Sequence, residues 1–267
     1  MYVKNRVALV TGASGGLGRS FVEEFLKNGI RGITLMDLND EVRKEQVRVL
    51  EEEYGRNKVI FCKGDVTNAT EFEGAFKKTI DVFRNIDIVV NNAGLVSEMD
   101  FKKCIDINLT GVLTGTTLAM DNYLPKYKTL DQPIVVNIAS IYGLDGSPFL
   151  TAYSATKHGV IGIGKCFSLN CHYEATGVKI ISICPGFTDT ALPKNCGSVL
   201  RPGRYRDIVR ELIPNLYLQE PEFVSRSLVK ILDNCSTGDV WIVEDNKCCQ
   251  VEIPDRSSLK KLRVLEI

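Results

Sequence analysis

The chain is short of the residues that would make it a metal protein, a secreted scaffold or a polyelectrolyte. It has two histidines in 267 residues, and its nine cysteines form no CxxC pair, so neither metal-ligand spacing nor a disulfide framework is supported. Reduced thiols are the expectation; adjacent Cys248 and Cys249 are the one unusual pair, readable as packing or as a redox site. Net charge is absent: 33 lysines plus arginines face 33 aspartates plus glutamates. No long-range field would recruit nucleic acid or an anionic membrane. No apolar run approaches the roughly 20 residues of a spanning helix, and Met1 to Arg6 leaves no room for a secretory leader before Val7. A cytoplasmic protein acting on a small molecule is expected, and three Asn-x-Ser/Thr sequons at Asn68, Asn108 and Asn234 are discounted with that setting.

What is present is a rhythm. Apolar, β-branched runs at Val7 to Thr11, Ile33 to Asp37, Val59 to Lys63, Ile86 to Asn91, Ile134 to Ser140, Lys179 to Pro185 and Val240 to Val243 alternate with longer helical segments. These helices are expected at Leu17 to Lys27, Asp40 to Tyr54, Ala69 to Phe83, Phe101 to Tyr123 and Ala152 to Ala175. Strands apolar throughout are buried on both faces. The pattern predicts an α/β protein: one doubly wound parallel sheet of about seven strands, helices on both faces, in a single domain. Residues 187–221 break the rhythm with four prolines among apolar residues, including Leu192, Val199, Leu200, Tyr205, Ile208, Leu212, Leu216 and Tyr217. That composition suits a lid over a cleft. Residues 244–267 read as a C-terminal tail.

Thr11-Gly12-Ala13-Ser14-Gly15-Gly16-Leu17-Gly18 follows the first strand and opens the first helix, the setting a dinucleotide loop requires. Glycine allows the turn, and free amides at the helix start favour a pyrophosphate. Contacts are expected from Gly12, Ser14, Gly16, Leu17 and Gly18. Asp37 ends the second strand 19 residues after Gly18, where a carboxylate takes the ribose hydroxyls of NAD and repels the 2′-phosphate of NADP. Neither Gly15 nor Leu38 supplies a cation to reverse that preference. Asp37 also reads as a helix N-cap, although Asn39 and Asp40 fill that part better. Asp65-Val66 after the third strand either binds adenine or makes a turn.

Tyr153-x-x-x-Lys157 places two side chains on one helix face. Tyr54-x-x-x-Lys58 has the same spacing but no serine in register and reads as surface. Ser140 lies 13 residues before Tyr153, at the carboxyl end of the fifth strand, where open α/β sheets bind ligands. A phenol of pKa about 10 needs roughly 4 kcal/mol of phenolate stabilisation to work near neutrality. One ammonium about 4 Å away supplies around that much at an effective dielectric near 20. Tyr153 as proton-transfer residue, Lys157 as its cation and Ser140 as hydrogen-bond donor to the substrate oxygen therefore form a sufficient set.

These motifs, in this order, resemble the short-chain dehydrogenase/reductase family from Val7 to Val243. The likeness rests on Thr11 to Gly18, Asp65, Asn91-Asn92-Ala93-Gly94, Asn108, Ser140, Tyr153, Lys157, and Pro185-Gly186 followed by Thr190. It implies a Rossmann-like fold and an oxidoreductase that moves hydride between a nicotinamide and an alcohol or ketone. It further implies that Asn91 steadies the central strand beside the cofactor, that Ala93 and Gly94 border the cofactor, and that Asn108 completes a tetrad by holding a relay water near Lys157. Lys157 would also bind the nicotinamide ribose, with Pro185, Phe187, Thr188 and Thr190 near the carboxamide. The short interval from Asn91-Asn92-Ala93-Gly94 to Asn108 and the segment Ile183 to Phe187 resemble a branch whose members use NAD. A homodimer or homotetramer through Phe101 to Tyr123 and Ala152 to Ala175 is the family's usual assembly; Val112, Leu113, Ile161 and Phe167 read equally as core.

Leu95, Val96, Ile141, Tyr142, Leu144, Phe149, Leu192 and Leu212 are candidates for an apolar substrate pocket, favouring a secondary or lipophilic alcohol. The alternative is a catalytically silent NAD- or lipid-binding sensor, which an altered tetrad would favour; the tetrad here is complete.

Overall fold

Every residue of Val7–Thr11 is buried, and its side chains alternate between two cores: Ala8 and Val10 face one, Leu9 the other. Ile88 and Val90 against Val89 repeat that alternation in the fourth strand, the period of a pleated strand covered on both faces. The computed structural model describes residues 1–38, 41–129, 131–193, 200 and 217–260, with 41–44 as backbone alone. Its strands are β1 (Val7–Thr11), β2 (Gly32–Asp37), β3 (Val59–Lys63), β4 (Ile88–Asn91), β5 (Ile134–Ile138), β6 (Lys179–Pro185), β7 (Val240–Glu244) and β8 (Lys247–Val251). They form one sheet in the order β3-β2-β1-β4-β5-β6-β7-β8. All pairings are parallel except β7 with β8.

On one face lie α1 (Gly16–Lys27), α2 (Glu41–Tyr54) and α9 (Pro221–Asn234); Phe21, Phe25, Leu50, Val224 and Leu228 join the core beneath them. Ser20 donates to Ser225 at 2.9 Å where α1 meets α9. The other face carries α3 (Ala69–Phe83), the long helix from Phe101, and α7 (Thr151–Phe167). Phe72, Phe76, Met120 and Tyr123 fill this second core, with the rings of Phe76 and Tyr123 stacked at 4.7 Å.

The long helix alternates α4 (Phe101–Ile105), α5 (Val112–Thr117) and α6 (Leu124–Tyr127) with π-helical turns at Asp106–Gly111 and Leu118–Tyr123. It thus runs past the expected end at Tyr123. The expected helix from Ala152 to Ala175 is instead two, α7 and α8 (Asn170–Thr176), parted where Leu169 turns extended with ψ 144°. Val112 and Ile161 are core, Phe167 packs against the second core, and Leu113 is exposed.

The eighth strand was not expected. Asp245 and Asn246 take φ of 50° and 57°, the left-handed pair that closes a two-residue hairpin and suits Asp and Asn. The supposed tail therefore returns as an antiparallel edge on which Cys248 and Cys249 are both exposed. Among the described residues, no helix is long and apolar enough to cross a membrane.

Candidate active site

Strand order reverses between β1 and β4, and such a reversal leaves a crevice at the carboxyl ends of the strands. The glycine loop fills it because little else fits. Gly12 has φ +62°, and a Cβ there would lie 2.9 Å from Ala93 Cα. A Cβ on Gly18 would lie 2.0 Å from the Gly12 carbonyl oxygen. Two bonds fasten the loop to the chain leaving β4: Asn92 Nδ2 donates to Thr11 O at 2.9 Å and to Gly12 O at 3.2 Å. Thr11 Oγ1 accepts from the amides of Asn92 and Ala93, both at 3.0 Å. Asn91 is the asparagine of this motif expected beside the cofactor, yet Asn92 makes the loop contacts. Asn91 lies buried behind the crevice, donating to Asn137 Oδ1 at 2.8 Å and Thr116 Oγ1 at 3.2 Å.

Gly15, at the N-cap of α1, has no side chain to occupy the first-turn amides. Ser14 Oγ and Gln46 Oε1 are buried with no hydrogen-bond partner among the described residues. Asp37 accepts from the Ser14 amide at 2.9 Å, bringing the end of β2 against the loop, while Leu38 is 56% exposed. Free helix-start amides, orphaned polar atoms and a glycine cradle fit a dinucleotide's phosphates and adenosine end. Asp65 makes the turn: its Oδ1 accepts from the amide and the hydroxyl of Thr67, both at 2.8 Å. Val66 is buried and faces Gly111. Asn39 and Asp40, the rival N-caps to Asp37, lie outside the described residues.

A cavity of about 560 Å³ continues from the loop over the sheet edge. It is lined by Gly12, Gly16, Leu17, Ala93 and Gly94 on one side, and by Ser140, Tyr153 and Lys157 on another. Pro185, Phe187, Thr188 and Thr190 complete its far wall. Twelve of the residues expected to act in catalysis or hold the cofactor thus meet on one surface. Ser14, Gly18, Asp37, Leu38, Asp65, Val66, Asn91 and Asn108 do not line it.

β5 was expected to run through Ser140 but stops at Ile138. Ser140 instead caps the short turn Ile141–Gly143, its Oγ accepting from the Tyr142 amide at 3.2 Å. Lys157, one helical turn after Tyr153, is 3% exposed. Its Nζ donates to Ile138 O at 2.8 Å and stands 5.5 Å from the centre of the Tyr153 ring. Burial lowers its pKa to about 8, so the ammonium persists at neutral pH. Cys184 lies close enough to interact with it, but burial pushes that thiol up to about 12 and keeps it protonated.

Asn108 is fully buried in the first π-helical turn. Its Oδ1 accepts from Leu95 N and its Nδ2 donates to Leu95 O, both at 2.8 Å. The side chain is thereby committed to the loop after β4.

Of the pocket candidates, Leu95, Val96, Ile141, Tyr142, Phe149 and Leu192 line the cavity. Leu144 does not; it packs against a separate cluster with Val160 and Ile161. Val199, Tyr205, Ile208, Leu212 and Leu216 lie outside the described residues, as do most of the expected lid residues. Leu150 and Ser147 line the cavity too; no spacing rule marks either in the sequence. Tyr54, the decoy of the Tyr-x-x-x-Lys pattern, ends α2 and packs half-buried against the first core rather than lying on the surface as expected, away from the cavity.

A crevice at a strand-order reversal, cradled by glycines and continued by a cavity carrying a tyrosine and a buried lysine, places the molecule among nucleotide-dependent oxidoreductases. The comparison with known proteins agrees at the level of family. The chain belongs to the short chain dehydrogenase family, whose profile matches residues 6–199. It is 32% identical over 251 residues to 15-hydroxyprostaglandin dehydrogenase [NAD(+)] of Homo sapiens, covering 92% of this chain and 94% of that protein. Alcohol dehydrogenase 2 of Ceratitis rosa is 26% identical over 251 residues, covering 94% and 96%. Among solved structures, levodione reductase superposes with a TM-score of 0.75 at 26% identity over 91% of this chain and 96% of its own. A short chain dehydrogenase/reductase from Burkholderia phymatum, in complex with NAD, gives a TM-score of 0.75 at 21% identity over 87% of each chain.

Proposed function

We infer that this chain is an NAD-dependent dehydrogenase of a secondary or lipophilic alcohol, with Tyr153 as the group that takes the hydroxyl proton. The observation that carries this is the shared cavity of Ser140, Tyr153 and Lys157, continuous with the glycine loop. NAD rather than NADP is favoured by Asp37 beside Ser14 and by the absence of a cation at exposed Leu38. Two relatives of different substrate carry NAD(+) or alcohol in their names.

In the proposed oxidation, bound NAD supplies the hydride acceptor and a second positive charge. Gly12, Gly16 and the first amides of α1 hold its phosphates, and Asp37 its adenosine ribose. Ser140 Oγ donates to the substrate oxygen, and Tyr153 accepts the proton from the same oxygen. A cation beside the ring stabilises a phenolate and so favours proton acceptance by Tyr153. Lys157 meets the condition for that, being still charged at pH 7 with its pKa of about 8. Its bond to Ile138 O fixes where the charge stands.

Apolar walls set the substrate. Leu95, Val96, Ile141, Phe149 and Leu150 surround the space beside Tyr153, and Lys157 is the charged side chain lining it among the described residues. The test is NADH formation by purified protein with NAD and a panel of primary, secondary and sterol alcohols. Tyr153→Phe is expected to lower kcat by at least about 100-fold with the KM for NAD little changed. Equal rates for Tyr153→Phe and wild type would overturn the assignment.

A further inference from the structure

Helix α7 carries both Tyr153 and Lys157, yet its own N-cap residue is Leu150, whose side chain has no polar atom to bond the first-turn amides. Helix starts need such an acceptor, ordinarily from a Ser, Thr, Asp or Asn at the N-cap, directed to the amide two or three residues on. Here the acceptor comes from 54 and 55 residues away: the carboxylate of Glu98 accepts from Ala152 N and Tyr153 N, each at 3.1 Å through a different oxygen. Glu98 is 3% exposed. Carboxylates are almost never buried to this degree unless their oxygens are bonded, and here two helix-start amides and the positive end of the helix dipole satisfy them.

We propose that Glu98 is a positioning residue for the reaction assigned above: a cap supplied from outside the helix that fixes where Tyr153 presents its hydroxyl. The amide it grips belongs to Tyr153 itself. The same carboxylate ties α7 to the loop after β4, which bears Leu95 and Val96 on the cavity wall. Asn108 pins that loop at Leu95 and Asn92 pins its start to the glycine loop. Glu98 closes the series by joining the loop to the catalytic helix. The arrangement also explains why Leu150 is not a Ser or Asp: it lines the cavity with Val96 and Tyr153, where a local cap would set a polar group against an apolar substrate. Capping from a distance leaves that wall apolar.

The inference rests on the dehydrogenase reading, and one set of measurements separates the two. Wild type, Glu98→Gln and Glu98→Ala are compared for kcat, for KM of NAD and of the alcohol, and for NADH binding by fluorescence, below the melting temperature of each. Misplacing a reacting group by about 1 Å costs on the order of 100-fold. Glu98→Ala is therefore expected to lose 10- to 100-fold in kcat while NADH affinity stays within about twofold, because the cradle of Gly12, Gly16 and Asp37 is untouched. Glu98→Gln keeps the length and one acceptor oxygen but turns an NH2 donor toward the other amide, so it is expected to recover only part of the loss, which also keeps the test decisive should Glu98→Ala fail to fold. Wild-type kcat in Glu98→Ala, or in Glu98→Gln alone a loss of kcat matched by the same loss of NADH affinity, overturns the proposal and leaves the dehydrogenase assignment standing. Wild type that binds NADH but oxidises none of the alcohols overturns that assignment, and this proposal with it.

Discussion

Replacing Lys157 by Met is expected to stabilise the protein while abolishing its activity. Burial lowers the Lys157 pKa from 10.5 to about 8. A depression of that size makes the charged form cost on the order of 3 kcal/mol in the nucleotide-free fold. The sign follows from proton uptake: between the folded and unfolded values the unfolded chain binds the extra proton, so stability rises with pH across that window. The cost is present in full below about pH 8 and has fallen to about 1 kcal/mol near pH 10. Methionine fills a similar volume without the charge but abandons the bond to Ile138 O, a loss of about 1 kcal/mol. The net gain is about 2 kcal/mol near pH 7, or roughly 4 to 8 °C in Tm for a chain of this size. Scanning calorimetry of both proteins near pH 7 and near pH 10 checks it. The Met variant should melt higher at the first pH and show no advantage at the second. A variant that melts at or below wild type near neutrality, or a gap indifferent to pH, would refute the reasoning.

Two further changes probe the nucleotide end. Gly18→Ala sets a Cβ 2.0 Å from the Gly12 carbonyl; backbone cannot yield there, so strain of about 1–3 kcal/mol should weaken NADH binding roughly 10- to 100-fold in a fluorescence titration. The double change Asp37→Ser with Leu38→Arg removes the carboxylate that bonds Ser14 and adds a cation at a position 56% exposed. The ratio of kcat/KM for NAD over NADP should fall by about 10- to 100-fold, and an unchanged ratio would show that Asp37 does not read the ribose.

How much of this was legible in the sequence depended on the range of the interaction. β1, β3 and β6 have the bounds read from their sequence runs; in β1 and β6 burial on both faces writes itself into consecutive residues, while β3 alternates buried Val59 and Phe61 with less buried neighbours. β4 was expected from Ile86 but begins at Ile88. Asp87 is fully buried there, accepting from Val7 N at 2.9 Å and Thr129 N at 2.6 Å, a polar anchor that an apolar count cannot see. β8 was missed because its side chains are exposed and carry no alternation; Asp245-Asn246 between two short runs was the available signal. The cavity residues were legible where a chemical motif marks them, as with Ser140, Tyr153 and Lys157. Glu98 was not, since its partners lie 54 and 55 residues away and nothing local distinguishes it from a surface carboxylate; Asn92 stood in a quoted motif, but its bonds to residues 80 and 81 positions away could not be read from it.

The two long-range polar contacts missed, those of Asn92 and Glu98, fall on one segment, the loop between β4 and α4, and that follows from the topology. At the strand-order reversal, the glycine loop belongs to the first half of the sheet and α7 to the second. In the proposed reaction the dinucleotide's phosphates, held by one, and the phenol, held by the other, must keep a fixed spacing so that cofactor and alcohol meet beside Tyr153. No sheet hydrogen bond spans the crevice above the strands, so alignment must come from side chains on the segment that borders both sides. Asn92 reaches the glycine loop, Thr11 reaches back to it, Asn108 stiffens its middle, and Glu98 grasps α7. Long-range polar bonds of buried side chains are costly to leave half made, which makes this loop a rigid strut between the two halves. Substitutions along it should therefore disturb turnover more than nucleotide affinity as they move from Asn92 toward Glu98.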